Sequence, residues 1–215
     1  MNKRNLLCIL MLLLANKLMQ TQEINTEILI GIDDSRIVSD TIHLEKETYS
    51  AFIKMKDAAE KDGIIIKLVS GFRDFYRQQM IWNNKYKKFT NEFSLDGPTT
   101  IKEIIRFSTI PGTSRHHWGT EIDIIDKNFE NEKDLLISKK YEEGGIFNSL
   151  KKWMDKNSKR FGFYIVYDDD SNRPGFEYEP WHYTYKPVSD LSLIHISEPT
   201  RPERIGDAGV WVKKK

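Results

Sequence analysis

Cysteine is nearly absent from this chain. The single one in 215 residues, Cys8, lies inside an apolar run close to the N-terminus. With that run removed, neither disulfides nor thiolate metal ligands are available. An excess of one charge sign is also missing: 33 basic side chains face 32 acidic ones, for a net charge of +1. No field therefore exists to gather nucleic acid or anionic lipid. No basic run interleaved with aromatics occurs, and no glycine-rich phosphate loop. Internal repeats are absent too. What is present, 39% hydrophobic and 30% charged residues, fits a soluble globular core rather than disorder. The length is that of one domain with additions at either end.

Both ends differ from the middle. Lys3 and Arg4 precede the apolar run Leu6 to Ala15, which suits a signal h-region and is too short to span a membrane comfortably. Residues 1–20 thus read as a signal peptide cut near Ala15 or, alternatively, as a short N-terminal anchor. Cys8 lies too early, and lacks the small residue before it, to resemble a lipoprotein acylation site. Export to the periplasm or cell envelope is the expected destination. At the other end, Leu191 to Arg201 resembles the conceptual translation of a transposase sequencing adapter, and no periodicity follows it. Residues 191–215 are expected to be a non-native or disordered tail. The folded domain is expected over 21–190, as a monomer.

Within that domain, Thr41 to Gly63 reads as a helix, with Tyr49, Phe52, Met55 and Ala59 at helical spacing and a glycine at the C-terminal cap. Ile64 to Val69 is a β-branched run of strand length. Asp74 is placed to cap a helix to about Lys88, with Phe75, Trp82, Tyr86 and Phe89 as its apolar face. Gly97-Pro98 opens a short helix through Phe107. Behind Gly119 the alternation predicts a strand with Thr120, Ile122 and Ile124 on one side, and Glu121, Asp123 and Ile125 on the other. A charged loop from Asp126 to Glu143 is expected to be exposed. A helix with Phe147, Leu150, Trp153 and Met154 inward follows, then strands at Phe163 to Tyr167 and around His182. Helices in runs between a few short strands predict an α+β domain: a small, mainly antiparallel sheet with helices packed on one face.

The chemistry concentrates around Gly119. An aspartate within an isoleucine-rich strand is costly unless a cation compensates it, and a histidine precedes it by seven residues. A catalytic zinc needs three ligands and an open position, with nitrogen and oxygen ligands at about 2.0–2.2 Å. Of the five histidines, His43 lies at a helix start and His195 in the tail. His116, His117 and His182 are left. Neighbours on an extended chain point apart, so one of His116 and His117 faces the metal. His116, Asp123 and His182 would leave one zinc ion formally +1 and a water acidic enough to use near neutral pH. Glu179, three residues before His182 and beside Pro180, can turn toward that water as a base. Arg73, at the mouth of a buried strand, can hold an oxyanion or a substrate carboxylate.

Three motifs now stand in order: Ser70-Gly71-Phe72-Arg73 with Gln78; Ser114, His116, Gly119 and Asp123; and Glu179-Pro180-Trp181-His182-Tyr183. Together they resemble the D-alanyl-D-alanine carboxypeptidase family of zinc peptidases, which includes vancomycin-resistance D,D-carboxypeptidases and shares its fold with the hedgehog signalling domain. The resemblance implies zinc held by His116, Asp123 and His182, with Glu179 as the base and then the acid to the leaving amine. It also implies that Arg73 stabilises the transition state or anchors substrate. Ser114 and Gln78 would contact the peptide near its terminal carboxylate. The implied substrate is a peptidoglycan stem ending in D-alanine. An L,D-carboxypeptidase, a cell-wall endopeptidase and a non-catalytic zinc-containing cell-wall-binding domain are the alternatives. One departure is Glu121, where many members carry a small apolar residue: it shares the face of Asp123, as a partner of the metal site or in a salt bridge to Arg115, the simpler reading.

Overall fold

The structure, a computed structural model, describes residues 26–38, 41–170, 172 and 175–190. The expected leader, His195 and the tail lie outside the described residues. Among the described residues no helix is long and apolar enough to cross a membrane.

Among the described residues, five α-helices surround one four-stranded sheet. They are α1 (Thr26–Leu29), α2 (Lys46–Lys61), α3 (Phe75–Asn91), α4 (Gly97–Ile105) and α5 (Asn148–Asn157). The strands are β1 (Ile66–Ser70), β2 (Glu121–Asp126), β3 (Phe163–Ile165) and β4 (His182–Tyr185), in the order β1-β2-β4-β3 and antiparallel throughout. Local chemistry sets the helix ends. The Glu45 carboxylate accepts from the amides of Glu47 and Thr48 at 2.9 and 3.0 Å, so α2 starts after the residues from which a helix was expected. Asp74 accepts from Arg77 N at 2.6 Å and Asp96 from Thr99 N at 2.8 Å, capping α3 and α4 as orphan first-turn amides require.

The register divides the sheet into a core face and a polar face. Ile122 pairs with Tyr183, which pairs with Ile165; Leu68 pairs with Ile124. These residues point to the side where Phe52, Met55 and Ala59 of α2 and Leu150, Trp153 and Met154 of α5 complete the core. Burying each such large apolar side chain contributes roughly 1.5–3 kcal/mol. On the opposite face Asp123 pairs with His182 and Glu121 with Thr184. Between Leu68 and Ser70 the β1–β2 register shifts, and Ser70 comes to lie opposite Asp123. That extra residue moves Ser70 from the core side to the polar side, as a bulge does.

Two expectations need correction. Helix α3 does not bury its aromatic stripe: Tyr86 is exposed, Phe75, Trp82 and Phe89 are half-buried, and the one buried side chain is Gln78. The helix flanks the polar face of the sheet and packs on α4 instead of the main core. The segment 126–143 is not a simple exposed loop either. Asp126 is buried at the end of β2, 3-10 turns cover Lys127–Phe129 and Ser138–Lys140, and Tyr141 is buried. The Tyr141 hydroxyl donates to Ile124 O at 2.9 Å and its ring lies 4.9 Å from that of Phe147. Isolated apolar residues without periodicity anchor this stretch, and no pattern announces them.

Gly119 closes the 3-10 turn Arg115–Trp118 with φ +70°, and its carbonyl accepts from Glu45 N at 2.9 Å. A Cβ there would meet Glu45 N at 2.9 Å and press on Ile37 Cδ1. Gly119→Ala is expected to cost about 1–3 kcal/mol of unfolding free energy. Urea denaturation measures it, and a loss below about 0.5 kcal/mol would show that the turn can relax.

Candidate metal centre

The polar face of the sheet meets the turn before β2. Ser114 to Gly119 forms a 3-10 turn, not the extended chain from which the two histidines were expected to diverge. The turn is clamped onto the segment after β1: Arg73 N donates to His116 O at 3.1 Å. His117 spends both ring nitrogens on that clamp. Its Nε2 accepts from Gly112 N at 3.1 Å, which leaves Nδ1 as the protonated atom donating to Arg73 O at 2.5 Å. His117 therefore supports the turn and has no ring nitrogen left for a metal.

His116, Asp123 and His182 converge, each buried, with one donor atom from each within 4.8 Å of the others. Asp123 lies between the two rings: Oδ2 is 3.3 Å from His116 Nε2 and Oδ1 is 2.8 Å from His182 Nδ1. Each imidazole is oriented through its other nitrogen. His116 Nδ1 lies 2.7 Å from Gly71 O, and His182 Nε2 lies 2.9 Å from Glu121 Oε2 as a charge contact. Histidines that bind metals are commonly oriented in this way. Glu121 thus does both things expected of it, because Oε1 also meets Arg115 Nη2 at 3.0 Å and Thr184 Oγ1 at 2.6 Å.

The electrostatics fit a cation. Burial disfavours the charged form of Asp123, yet His116 and His182 outweigh it and hold the carboxyl far below its usual range. For Glu121, burial is likewise overcome by His182, Arg115 and Thr184, down to about 2. Burial opposes a charged His182, but Asp123 and Glu121 lift it to about 10. A proton on His182 does here what a divalent ion does better, since it satisfies two buried carboxylates. Two imidazole nitrogens and a carboxylate oxygen are a zinc-type donor set.

Of the remaining expected residues, Arg73, Ser114 and Glu179 line one cavity of about 420 Å³ with the three candidate ligands, together with Lys85 and Trp181 among others. Glu179 sits in the turn before β4, where its amide donates to Tyr167 O at 3.0 Å. Its Oε2 is 3.8 Å from His182 Nδ1, and burial, helped by the Asp123 charge, raises its carboxyl to about 7. Arg73 Nη2 is 3.7 Å from Asp123 Oδ2. Gln78 departs from its expected role. It is fully buried, its Oε1 accepts from Arg73 Nη1 at 2.7 Å and its Nε2 donates to Thr109 O at 2.7 Å. The amide is committed to holding the guanidinium and has no free end for a ligand. Ser70 adds a second support, its Oγ accepting from Arg73 Nη2 at 3.0 Å. Lys85, Tyr167 and Phe176 also line the cavity and lay outside the sequence reading. The available signal was the i, i+3, i+7 spacing of Gln78, Ile81 and Lys85 on one helix face.

Residues 41–188 match the family model for VanY, D-alanyl-D-alanine carboxypeptidase. The chain belongs to the D-alanyl-D-alanine carboxypeptidase family. It is 34% identical over 164 residues to the putative carboxypeptidase YodJ of Bacillus subtilis (strain 168), covering 75% of this chain and 53% of that protein. It spans about half the length of the first curated relatives it matches. Among solved structures, VanYB in complex with D-Alanine-D-Alanine superposes with a TM-score of 0.58 at 25% identity, covering 74% of this chain and 81% of that one. A point mutant of the vancomycin-resistance D,D-pentapeptidase VanY, solved in complex with Zn(II), shares the fold, with a TM-score of 0.57 at 24% identity and coverage of 74% and 82%. The family's α+β architecture and the antiparallel sheet found here agree.

A metal must displace the proton held by His182. Because that group titrates near 10, the apparent affinity for a divalent cation should rise about tenfold per pH unit between pH 6 and 8. Calorimetric titration at three pH values checks this. Glu121→Gln should flatten the dependence and weaken binding by about 10–100-fold. A pH-independent affinity in the unmodified protein would contradict the arrangement.

Proposed function

We propose that this chain is an exported, zinc-dependent carboxypeptidase that removes the C-terminal D-alanine from peptidoglycan stem peptides. The observation that carries the reading is the convergence of His116, Asp123 and His182 beside Glu179 in one cavity. Membership of the D-alanyl-D-alanine carboxypeptidase family supports the reaction class. The dipeptide bound by VanYB supports the substrate end. Export is supported by Lys3, Arg4 and the apolar run after them.

When bound by the three ligands, zinc supplies Lewis acidity to the peptide carbonyl and lowers the pKa of an attacking water. The chain's own residues supply the rest. Glu179, held near neutrality by its burial, takes a proton from the water as the new C–O bond forms. It returns that proton to the amine of D-alanine as the C–N bond breaks. Arg73, fixed by Gln78 and Ser70, faces the developing oxyanion with its geometry set beforehand. Ser114 lines the cavity beside the substrate path.

Glu179→Gln should keep zinc affinity within a few-fold and lower kcat by about 10²–10⁴-fold. Retained turnover would remove Glu179 from its role. Mass spectrometry of digested stem peptides reads the cleaved bond: loss of one terminal D-alanine from a pentapeptide fits. Shortening of a tetrapeptide or cleavage of cross-links would point to the L,D or endopeptidase alternatives.

The same residue yields a pH prediction for stability. Its folded-state pKa lies above the ordinary value of 4.5, so folding favours the protonated form. In metal-free protein the Glu179 contribution to stability should then fall as pH rises from about 4.5 through 7, by at most about 3 kcal/mol. Metal-free Glu179→Gln should be the more stable protein at pH 8, with the gap closing below pH 4.5. Thermal melts of both proteins across that range test the sign.

A further inference from the structure

Three cationic side chains, Arg73, Lys85 and Arg115, line the cavity, and Arg115 is already paired with Glu121 at 3.0 Å. Arg73 is tied to Gln78 at 2.7 Å and to Ser70 at 3.0 Å, and it lies 3.7 Å from Asp123, beside the metal ligands. Lys85 projects from α3 two turns beyond Gln78, and its Nζ donates to Ser108 Oγ at 2.5 Å. Among the described residues it forms no ion pair. Its stem is half-buried, so its ammonium has given up part of its hydration without gaining a carboxylate. Such a group on a cavity wall is suited to an anion.

Its position identifies which anion. Arg73 lies within ion-pair distance of Asp123, at 3.7 Å, whereas Lys85 lines the same cavity without a carboxylate of the described residues at that distance. Lys85 with Ser108 therefore stands further from Asp123 than Arg73 does, on the wall of the cavity that the three candidate ligands and Glu179 also line. A peptide whose scissile carbonyl lies at the metal ligands places its terminal carboxylate one residue further on, about 3.3–3.8 Å along the chain. Phe107 and Thr109 flank Ser108 on the same wall. The Ser108 hydroxyl accepts from Lys85 and retains its own hydrogen to donate.

We propose that Lys85, together with Ser108, binds the free C-terminal carboxylate of the substrate and so restricts cleavage to the last peptide bond. This inference rests on the carboxypeptidase reading and names the residues that set its chain-end specificity. Arg73 is left to the oxyanion. Lys85 is a specificity-determining residue: it touches the end of the substrate and no reacting atom.

The test is a binding comparison on zinc-loaded Glu179→Gln protein. Calorimetry measures N-acetyl-D-alanyl-D-alanine against its C-terminal amide. With Lys85 present, the acid should bind at least tenfold tighter than the amide. With Lys85→Met added, the acid should fall to the level of the amide, while amide and zinc affinities stay within about threefold. Lys85→Arg should keep part of the preference, and Lys85→Gln replaces the methionine variant if that one fails to fold. Equal binding of acid and amide with Lys85 in place overturns the proposal. So does a preference that survives Lys85→Met, or failure of both ligands to bind. Hydrolysis by the unmodified chain is scored separately. No turnover with the acid preference intact removes the proposed reaction and leaves this site, and turnover without the preference does the reverse.

Discussion

The carboxylate of Asp123 is the group on which the rest of this structure depends. It sits in a strand whose residues are all buried, with isoleucines on both sides of it in sequence. A buried charge in such a place is tolerated only when it is surrounded by partners. Here the partners come from three directions. His116 arrives from the turn before β2, His182 from the neighbouring strand, and Arg73 from the segment after β1. The sheet register sets one of these relationships: Asp123 and His182 are direct cross-strand partners on one face. The bulge after Leu68 sets another by turning Ser70 to the same face, where it holds Arg73.

This arrangement explains why a small sheet can serve two purposes. Its apolar face needs helices α2 and α5 for a core. Its other face carries Glu121, Asp123, His182 and Thr184, and these satisfy one another. Arg115 closes that network at one end, 3.0 Å from Glu121 and 5.0 Å from the Trp118 ring centroid. Supports of this kind keep ligands within the tight tolerances that catalysis demands.

Much of this was legible in the residues, for physical reasons that differ between parts. Period-two alternation around Asp123 marked both faces of β2 before any pairing was known. Asp74 and the Gly97-Pro98 pair marked the starts of helices. The order of the three motifs gave the family, and with it the fold. What stayed hidden depends on long-range packing. The 3-10 turn at His116 has no periodicity, and the second ring nitrogen of His117 finds its partner through Gly112. The commitment of Gln78 to Arg73 and Thr109 required knowing which face of α3 turned inward. Its aromatic stripe, with Gln78 between Phe75 and Trp82, marked that face but not the polar partners that bury the amide there.

One small contact reaches beyond the family-matched region. Gly31, at φ +75°, lies so close to the His117 ring that a Cβ would meet Nδ1 at 2.5 Å, and its carbonyl accepts from Phe75 N at 2.9 Å. Residues ahead of position 41 therefore brace the back of the histidine turn. A chain trimmed to the boundaries of the family would lose a buttress of the histidine turn while keeping every residue of the candidate site.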